Sequence, residues 1–277
     1  MSLTSTYLSP SPFSGIQSLW ENRKLILQLA KREVVGRYRG SFLGLVWSFL
    51  NPLLMLAVYT FVFSVIFRAR WSSAPGDSKS SFAIILFSGL IMHGVLAECV
   101  NRAPTLITSN ASYVKKVVFP LDVLPVVAMG GALFHAGIAL MILMLAKLAV
   151  DGHVPFTVLL FPLVAAPFAL LVIGVAWVVA ALGAYIRDIG QMTGIMTTAM
   201  LFLSPTFYPL TAVPEGLRAL VHLNPLTFPV LQTRASLLGI GEFDWTGLAA
   251  YSVTAVAMAA FGYWFFQRMR AGFADVV

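Results

Sequence analysis

The chain has 277 residues, 59% hydrophobic and 10% charged, with a formal net charge of +7. A soluble domain carries about 25% charged residues, so a soluble enzyme is excluded and a polytopic membrane protein is expected. The basic residues punctuate apolar stretches and gather on no soluble domain, a pattern that suits anionic lipid and membrane topology, with no nucleic-acid partner expected.

Residues 1–13 read as a flexible tail. Ser9-Pro10-Ser11-Pro12 is Pro/Ser-rich, and Met1–Ser14 has no basic n-region with an apolar core behind it, so no cleavable signal peptide is expected. Residues 14–39 follow as one unit. Ile16, Leu19, Trp20, Leu27, Ala30 and Val34 fall at helical spacing among Arg23, Lys24 and Lys31. The expectation is an amphipathic helix lying at the cytoplasmic interface; the plainer alternative is a basic juxtamembrane tail. Cys99 is the only cysteine, so no intrachain disulfide can form.

From residue 40 to 277 the chain reads as one membrane domain. A spanning helix needs about 20 apolar residues, and a charge at its centre costs about 2.5–3.5 kcal/mol. The charge-free windows run 40–67, 80–97, 123–146, 152–186, 189–214 and 245–267. They give an all-α fold class with six spans, roughly 43–67, 81–99, 118–146, 156–183, 190–208 and 247–266. With the N-terminus inside, twelve Lys/Arg fall in inside segments and six in outside ones. Both termini are therefore expected in the cytoplasm.

Two cytoplasmic segments read as docking elements for a partner. Asn101–Phe119, closed by Pro120, carries Leu106, Ile107, Tyr113 and Val114 on a surface too small to span, with Lys115 and Lys116 behind. Asn101 or Ser109 is a candidate cap for a short helix there. The alternative is a solvated loop with membrane-anchoring lysines. The second segment, Tyr185–Gln191, holds Arg187 beside Asp188, for partner contact or as markers of the membrane edge. Residues 208–243 contain two short apolar pieces, Pro214–Leu223 and Pro225–Leu238. Each is too short to span, which suits a re-entrant pair lining a pathway or two helices lying flat on the outer surface.

Reactive chemistry is missing from the spans. Glu98 and Asp122 fall near span ends, and His93 and His135 have no second ligand at i+3 or i+4. A lone His in an apolar helix is ordinarily a packed, hydrogen-bonded core residue. No Lys follows a Gly, so no Gly-Lys-Ser/Thr phosphate loop exists. The chain is not expected to be an enzyme, and energy for active transport has to enter through a partner. A membrane enzyme acting on polyprenyl phosphate is a rival reading, against which the lack of an intramembrane acidic or His cluster argues.

Arg37, Tyr38, Ser41, Leu43, Gly44, Trp47 and Pro52 open the first span in a pattern that resembles the start of ABC-2 type permeases that export polysaccharides. The resemblance continues through Asn110, Lys115, Lys116, Phe119, Pro120, Leu124 and Pro125, then Arg187 and Asp188, Ser204–Pro209, Pro214, Asn224-Pro225-Leu226 and Arg234. It implies a homodimer in the bacterial inner membrane with two ABC ATPase subunits, ATP and Mg being bound by those subunits and no cofactor by this chain. It implies a coupling helix over about 101–113, with Leu106, Tyr113, Lys115, Arg187 and Asp188 toward the ATPase, and a re-entrant gate over about 209–238. The implied substrate is an undecaprenyl-linked glycan, O-antigen first, with capsule or teichoic acid as alternatives; a drug or lipid permease is the rival within the family. A conduit for sugar wants aromatic faces and neutral polar groups, which Trp47, Tyr59, Phe63, Phe207 and Tyr208 offer; aromatic belts at the lipid interface are the competing role. Arg37 and Arg39 are candidates to hold the lipid pyrophosphate, because guanidinium groups bind phosphate oxygens bidentately.

Overall fold

The structure is a computed structural model and describes residues 12–66, 71, 79–116 and 119–276. Most of the expected tail lies outside the described residues. Among those described, the chain is all-helical: α1 (Pro12–Glu21), α2 (Arg23–Tyr38), α3 (Trp47–Tyr59), α4 (Lys79–Arg102), α5 (Ala111–Lys116), α6 (Val123–Asp151), α7 (Phe161–Tyr185), α8 (Ile189–Leu203), α9 (Glu215–Leu223), α10 (Thr227–Leu238), α11 (Trp245–Arg270) and α12 (Phe273–Val276).

Among the described residues, five stretches are long and apolar enough to cross a membrane: Gly44–Phe63, Phe82–Thr105, Val123–Asp151, Phe156–Tyr185 and Trp245–Arg270. They match five of the six expected spans. The remaining one, α8, is apolar but has only 15 residues, roughly 22 Å of helix against a hydrocarbon core of about 30 Å. Ser204 ends it by turning to extended backbone. The first span changes winding at Thr60, where seven residues adopt a π-helix. The sequence gives no sign of that change.

The single interface helix expected over 14–39 is two helices. Asn22 departs from helical geometry (φ −92°, ψ 9°). Its side-chain amide donates to the Ser18 carbonyl at 2.8 Å, so the break has its own hydrogen bond. The second piece, α2, lies along α6: the Ala30 methyl faces Gly130, and the Glu33 carboxylate faces Gly131. A β-carbon at Gly130 would press on the Ala30 methyl at 3.1 Å, whereas one at Gly131 would meet only the mobile end of the Glu33 side chain.

The fold is organised around α4. In that span 72% of the most apolar window is buried, against 11% for the first span. Apolar sequence alone does not distinguish the two, because lipid and protein interior favour the same residues. α7 and α11 pack with their backbones nearly touching at Gly174 and Gly262; a β-carbon on either would enter the other helix's backbone. Small residues permit this approach where no hydrophobic force drives helices together in lipid.

Candidate functional site

One end of the bundle gathers the two segments expected to dock a partner. Residues 103–105 and 108–110 form short 3-10 turns, followed by α5. Pro104 lies against Gly183 so closely that a β-carbon there would meet the proline backbone. The segment after α4 and the end of α7 therefore form one surface. Thr105, Thr108, Ser109, Arg187 and Asp188 are exposed on it. The two capping candidates do other work. Asn101 lies within α4 and accepts from the Thr197 hydroxyl at 3.2 Å, and Ser109 donates back to the Thr105 carbonyl at 2.6 Å.

The named docking residues divide. Leu106 is 6% exposed and belongs to the core. Its side chain anchors the segment from beneath. Tyr113 is half-buried, stacks on Phe119 with ring centroids 4.5 Å apart, and accepts from Arg32 of α2 at 3.3 Å. Lys115 is on α5, with its side chain outside those described. The Phe119 carbonyl accepts from Arg270 at the end of α11 at 3.2 Å.

α2 joins α4 through two ion pairs one turn apart, with opposite polarity. Glu33 pairs with Arg102, and Arg37 Nη1 lies 2.6 Å from Glu98 Oε1. His135 of α6 enters the second pair. Its Nδ1 is 2.9 Å from Glu98 Oε1, and its Nε2 is 3.0 Å from the Tyr38 hydroxyl. A carboxylate accepts only, so the Nδ1 facing Glu98 donates to it; Arg37 Nη1 lies 3.1 Å from the same Nδ1, so the three groups form one cluster. Burial pushes the Tyr38 phenol above its usual value, against an opposing pull from Arg37, which keeps it a donor. Arg39 is exposed at the end of α2 and is not part of this cluster.

The cluster closes one end of a 360 Å³ cavity between α2, α3, α4 and α6. Its α4 wall runs from Glu98 to Phe87, roughly 16 Å of helix. Arg37, Tyr38, Glu98 and His135 make the polar end; Phe87 and Tyr59 lie at the apolar one. The chamber is thus amphipathic: Arg37, Glu98 and His135 lie at one end, and His93 and Tyr59 stand along its length.

The other aromatic candidates lie further along the bundle. Phe63 stacks on Phe82 and Phe207, with ring centroids 5.6 and 6.3 Å apart, and Phe207 stacks on Phe202 at 5.4 Å. Tyr208 donates to the Phe202 carbonyl at 3.2 Å. Tyr59 is separate from this stack and lines the cavity; Trp47 is on the exposed face of α3. The five aromatics expected along one path therefore occupy three places.

Arg234 of α10 is 2% exposed. It donates to the carbonyls of Pro205 (2.6 Å), Thr206 (2.8 Å) and Ile85 (3.4 Å), and its guanidinium lies 4.3 Å from the centre of the Trp71 ring. One cation thus ties α10, the turn after α8 and the start of α4 together. Sequence reasoning missed this anchor, and it missed the Glu33, Glu98 and His135 pairings. Their partners are 28 to 149 residues away in sequence, so no local spacing reveals them.

Comparison with known proteins follows the same outline. Residues 24–238 match the sequence model of the family described as ABC-2 type transporter. The chain is 29% identical over 213 residues to the O-antigen export system permease protein RfbA of Myxococcus xanthus, covering 76% of this chain and 79% of that one. It is 24% identical over 257 residues to RfbA of Klebsiella pneumoniae, covering 91% and 95%. It is also 28% identical over 233 residues to the capsule polysaccharide export inner-membrane protein CtrC of Neisseria meningitidis serogroup B, covering 80% and 83%. With most of its described helices inside the matched region, the chain belongs to the ABC-2 type transporter family.

Proposed function

We propose that this chain is the membrane-spanning permease subunit of an ABC exporter that moves a lipid-linked polysaccharide, O-antigen first, across the bacterial inner membrane. The observation that carries the reading is the near-end-to-end similarity to an O-antigen export permease, 95% of which is covered. The capsule exporter is the second reading, favoured by the similarity to CtrC. In this proposal α8 is the fifth of six crossings, both termini are cytoplasmic, and α1 and α2 lie at the inner interface. α9 and α10 form a re-entrant pair on the outer side. Two copies of the chain enclose the path, and two separate ATPase subunits bind ATP and Mg and drive it.

Residues 101–113 and 184–191 are the coupling surface. Tyr113 links it to α2, and Arg187 and Asp188 meet the ATPase. Trp47, Tyr59, Phe63, Phe207 and Tyr208 contact the sugar chain at different stages of its passage. Arg37 and Arg39 receive the lipid pyrophosphate. The cavity supports the assignment of Arg37, because it sets that guanidinium at one end of a largely apolar chamber.

The test is deletion of the gene and complementation by variants, reading surface polysaccharide by gel and ATP hydrolysis in the purified complex. Loss of O-antigen with intact cytoplasmic glycan pools supports the proposal; normal surface O-antigen in the deletion strain refutes it, and loss of capsule alone moves it to the second reading. Replacing Arg187 with Ala is expected to uncouple hydrolysis from export without loss of membrane insertion. Replacing Tyr59 and Phe63 together with Ala is expected to reduce surface glycan.

A further inference from the structure

Arg37 is not waiting in open water. Its Nη1 and the Nδ1 of His135 converge on one oxygen of Glu98, at 2.6 and 2.9 Å. The Tyr38 hydroxyl, 3.0 Å from Nε2, fixes the ring so that its other nitrogen donates to Glu98. Glu98 and His135 side chains are 17% and 19% exposed, whereas Arg37 is 43% exposed. The carboxylate therefore has two donors: one on the cavity wall and one that also reaches solvent. If Arg37 leaves, Glu98 keeps the imidazole.

We propose that Glu98 and His135 are positioning residues that form a releasable seat for Arg37, and so set how tightly the chain holds a pyrophosphate headgroup. This rests on the assignment of Arg37 to the lipid pyrophosphate. Glu98 competes with the phosphate for the guanidinium, so it weakens binding. His135 shares the carboxylate and lowers the cost of letting Arg37 go, so it strengthens binding. Two residues in direct contact thus act in opposite directions on the same ligand. A purely structural role moves both variants the same way.

The test titrates the full-length chain in detergent micelles with decaprenyl pyrophosphate, decaprenol and inorganic pyrophosphate. Glu98→Gln, which keeps the shape and removes the charge, is expected to tighten decaprenyl pyrophosphate binding about two- to fivefold, the scale of one partly exposed charge pair. Glu98→Asp, which withdraws the carboxylate, shifts the same way. His135→Leu weakens binding by about two- to fivefold, and Arg37→Ala abolishes it. If Arg37→Ala abolishes binding while both Glu98 variants bind no tighter than the native chain, the seat is overturned and the headgroup assignment stands. If Arg37→Ala binds normally, or decaprenol binds as tightly as its pyrophosphate, the assignment falls and the seat with it. Equal affinity for inorganic pyrophosphate overturns a lipid source for the headgroup.

Discussion

Pro104 and Gly183 meet backbone to backbone: a β-carbon on residue 183 would enter the proline. The contact joins a segment that follows α4 to the last turn of α7, and so makes one surface from two parts of the chain. Gly183→Val is expected to destabilise the purified chain by about 1–3 kcal/mol, as overpacking does, and to lower ATP-driven export further by parting the two docking segments. Gly190→Ala is the control. Its β-carbon would lie 3.9 Å from the Pro104 side chain, an ordinary contact, and it should behave as the native chain does. Thermal melting in detergent and export in cells read the two effects separately.

Arg234 offers a second test. It is buried without a carboxylate among its hydrogen-bond acceptors; three carbonyls and the Trp71 ring surround it. Arg234→Met takes the donor from the buried Pro205 and Thr206 carbonyls, at a cost of about 2–5 kcal/mol, whereas the Ile85 carbonyl keeps the Ser88 hydroxyl. Arg234→Lys recovers only part of this, because an ammonium is a point charge and lacks the planar fork that reaches several acceptors. Gly89→Ala tests the same anchor from α4: its β-carbon would lie 3.1 Å from the Thr206 methyl and 3.3 Å from Arg234 Nη2. Melting temperatures should fall in the order native, Gly89→Ala, Arg234→Lys, Arg234→Met.

Asp244 carries a pH dependence. Its carboxylate accepts from the Gly247 backbone N–H and the Thr246 hydroxyl, both at 2.8 Å, and caps α11. The Gly247 and Thr246 hydrogen bonds hold its carboxyl below the usual carboxylate value. A depressed folded value means the cap contributes fully above the ordinary aspartate value of about 3.9. Its contribution is lost as pH falls through the lower folded value. Asp244→Asn keeps an acceptor oxygen but no charge, so its melting temperature should depend less on acid pH than the native chain's. Parallel melting curves from neutral to acid pH decide this.

What was legible in the sequence was what the membrane dictates. The charge-free windows locate five long helices and the short α8, since a buried charge is costly wherever it falls. The break at Asn22 was not legible, because it depends on one side chain bonding back to Ser18. The inward turn of Leu106 was not legible either: an apolar residue in a short amphipathic segment suits a partner groove as well as the chain's own core. Arg37 was singled out by type, but its neighbours were not. Glu98 looked like a residue at a span end and His135 like an isolated core histidine. Only the packing of α2 across α4 and α6 brings the three together.

The Glu33–Arg102 pair tests whether α2 is fixed to the proposed coupling surface or merely lies beside it. One turn separates it from Arg37–Glu98, so the two pairs resist both sliding and rotation of α2 on α4. Arg102 is 35% exposed, and screening limits the pair to on the order of 1 kcal/mol of stability. Its geometric effect is larger than its energy, because it lies where α4 gives way to the 3-10 turn carrying Pro104. Glu33→Arg places like charges together and should detach α2 locally, lowering export while melting changes little. Combining Glu33→Arg with Arg102→Glu restores opposite charges at the same position, and export should recover to at least half the native level. Recovery in the double variant, with loss in each single one, identifies a coupling contact. Equal loss in all three would show that α2 follows the coupling surface through packing on Gly130 and Gly131 alone.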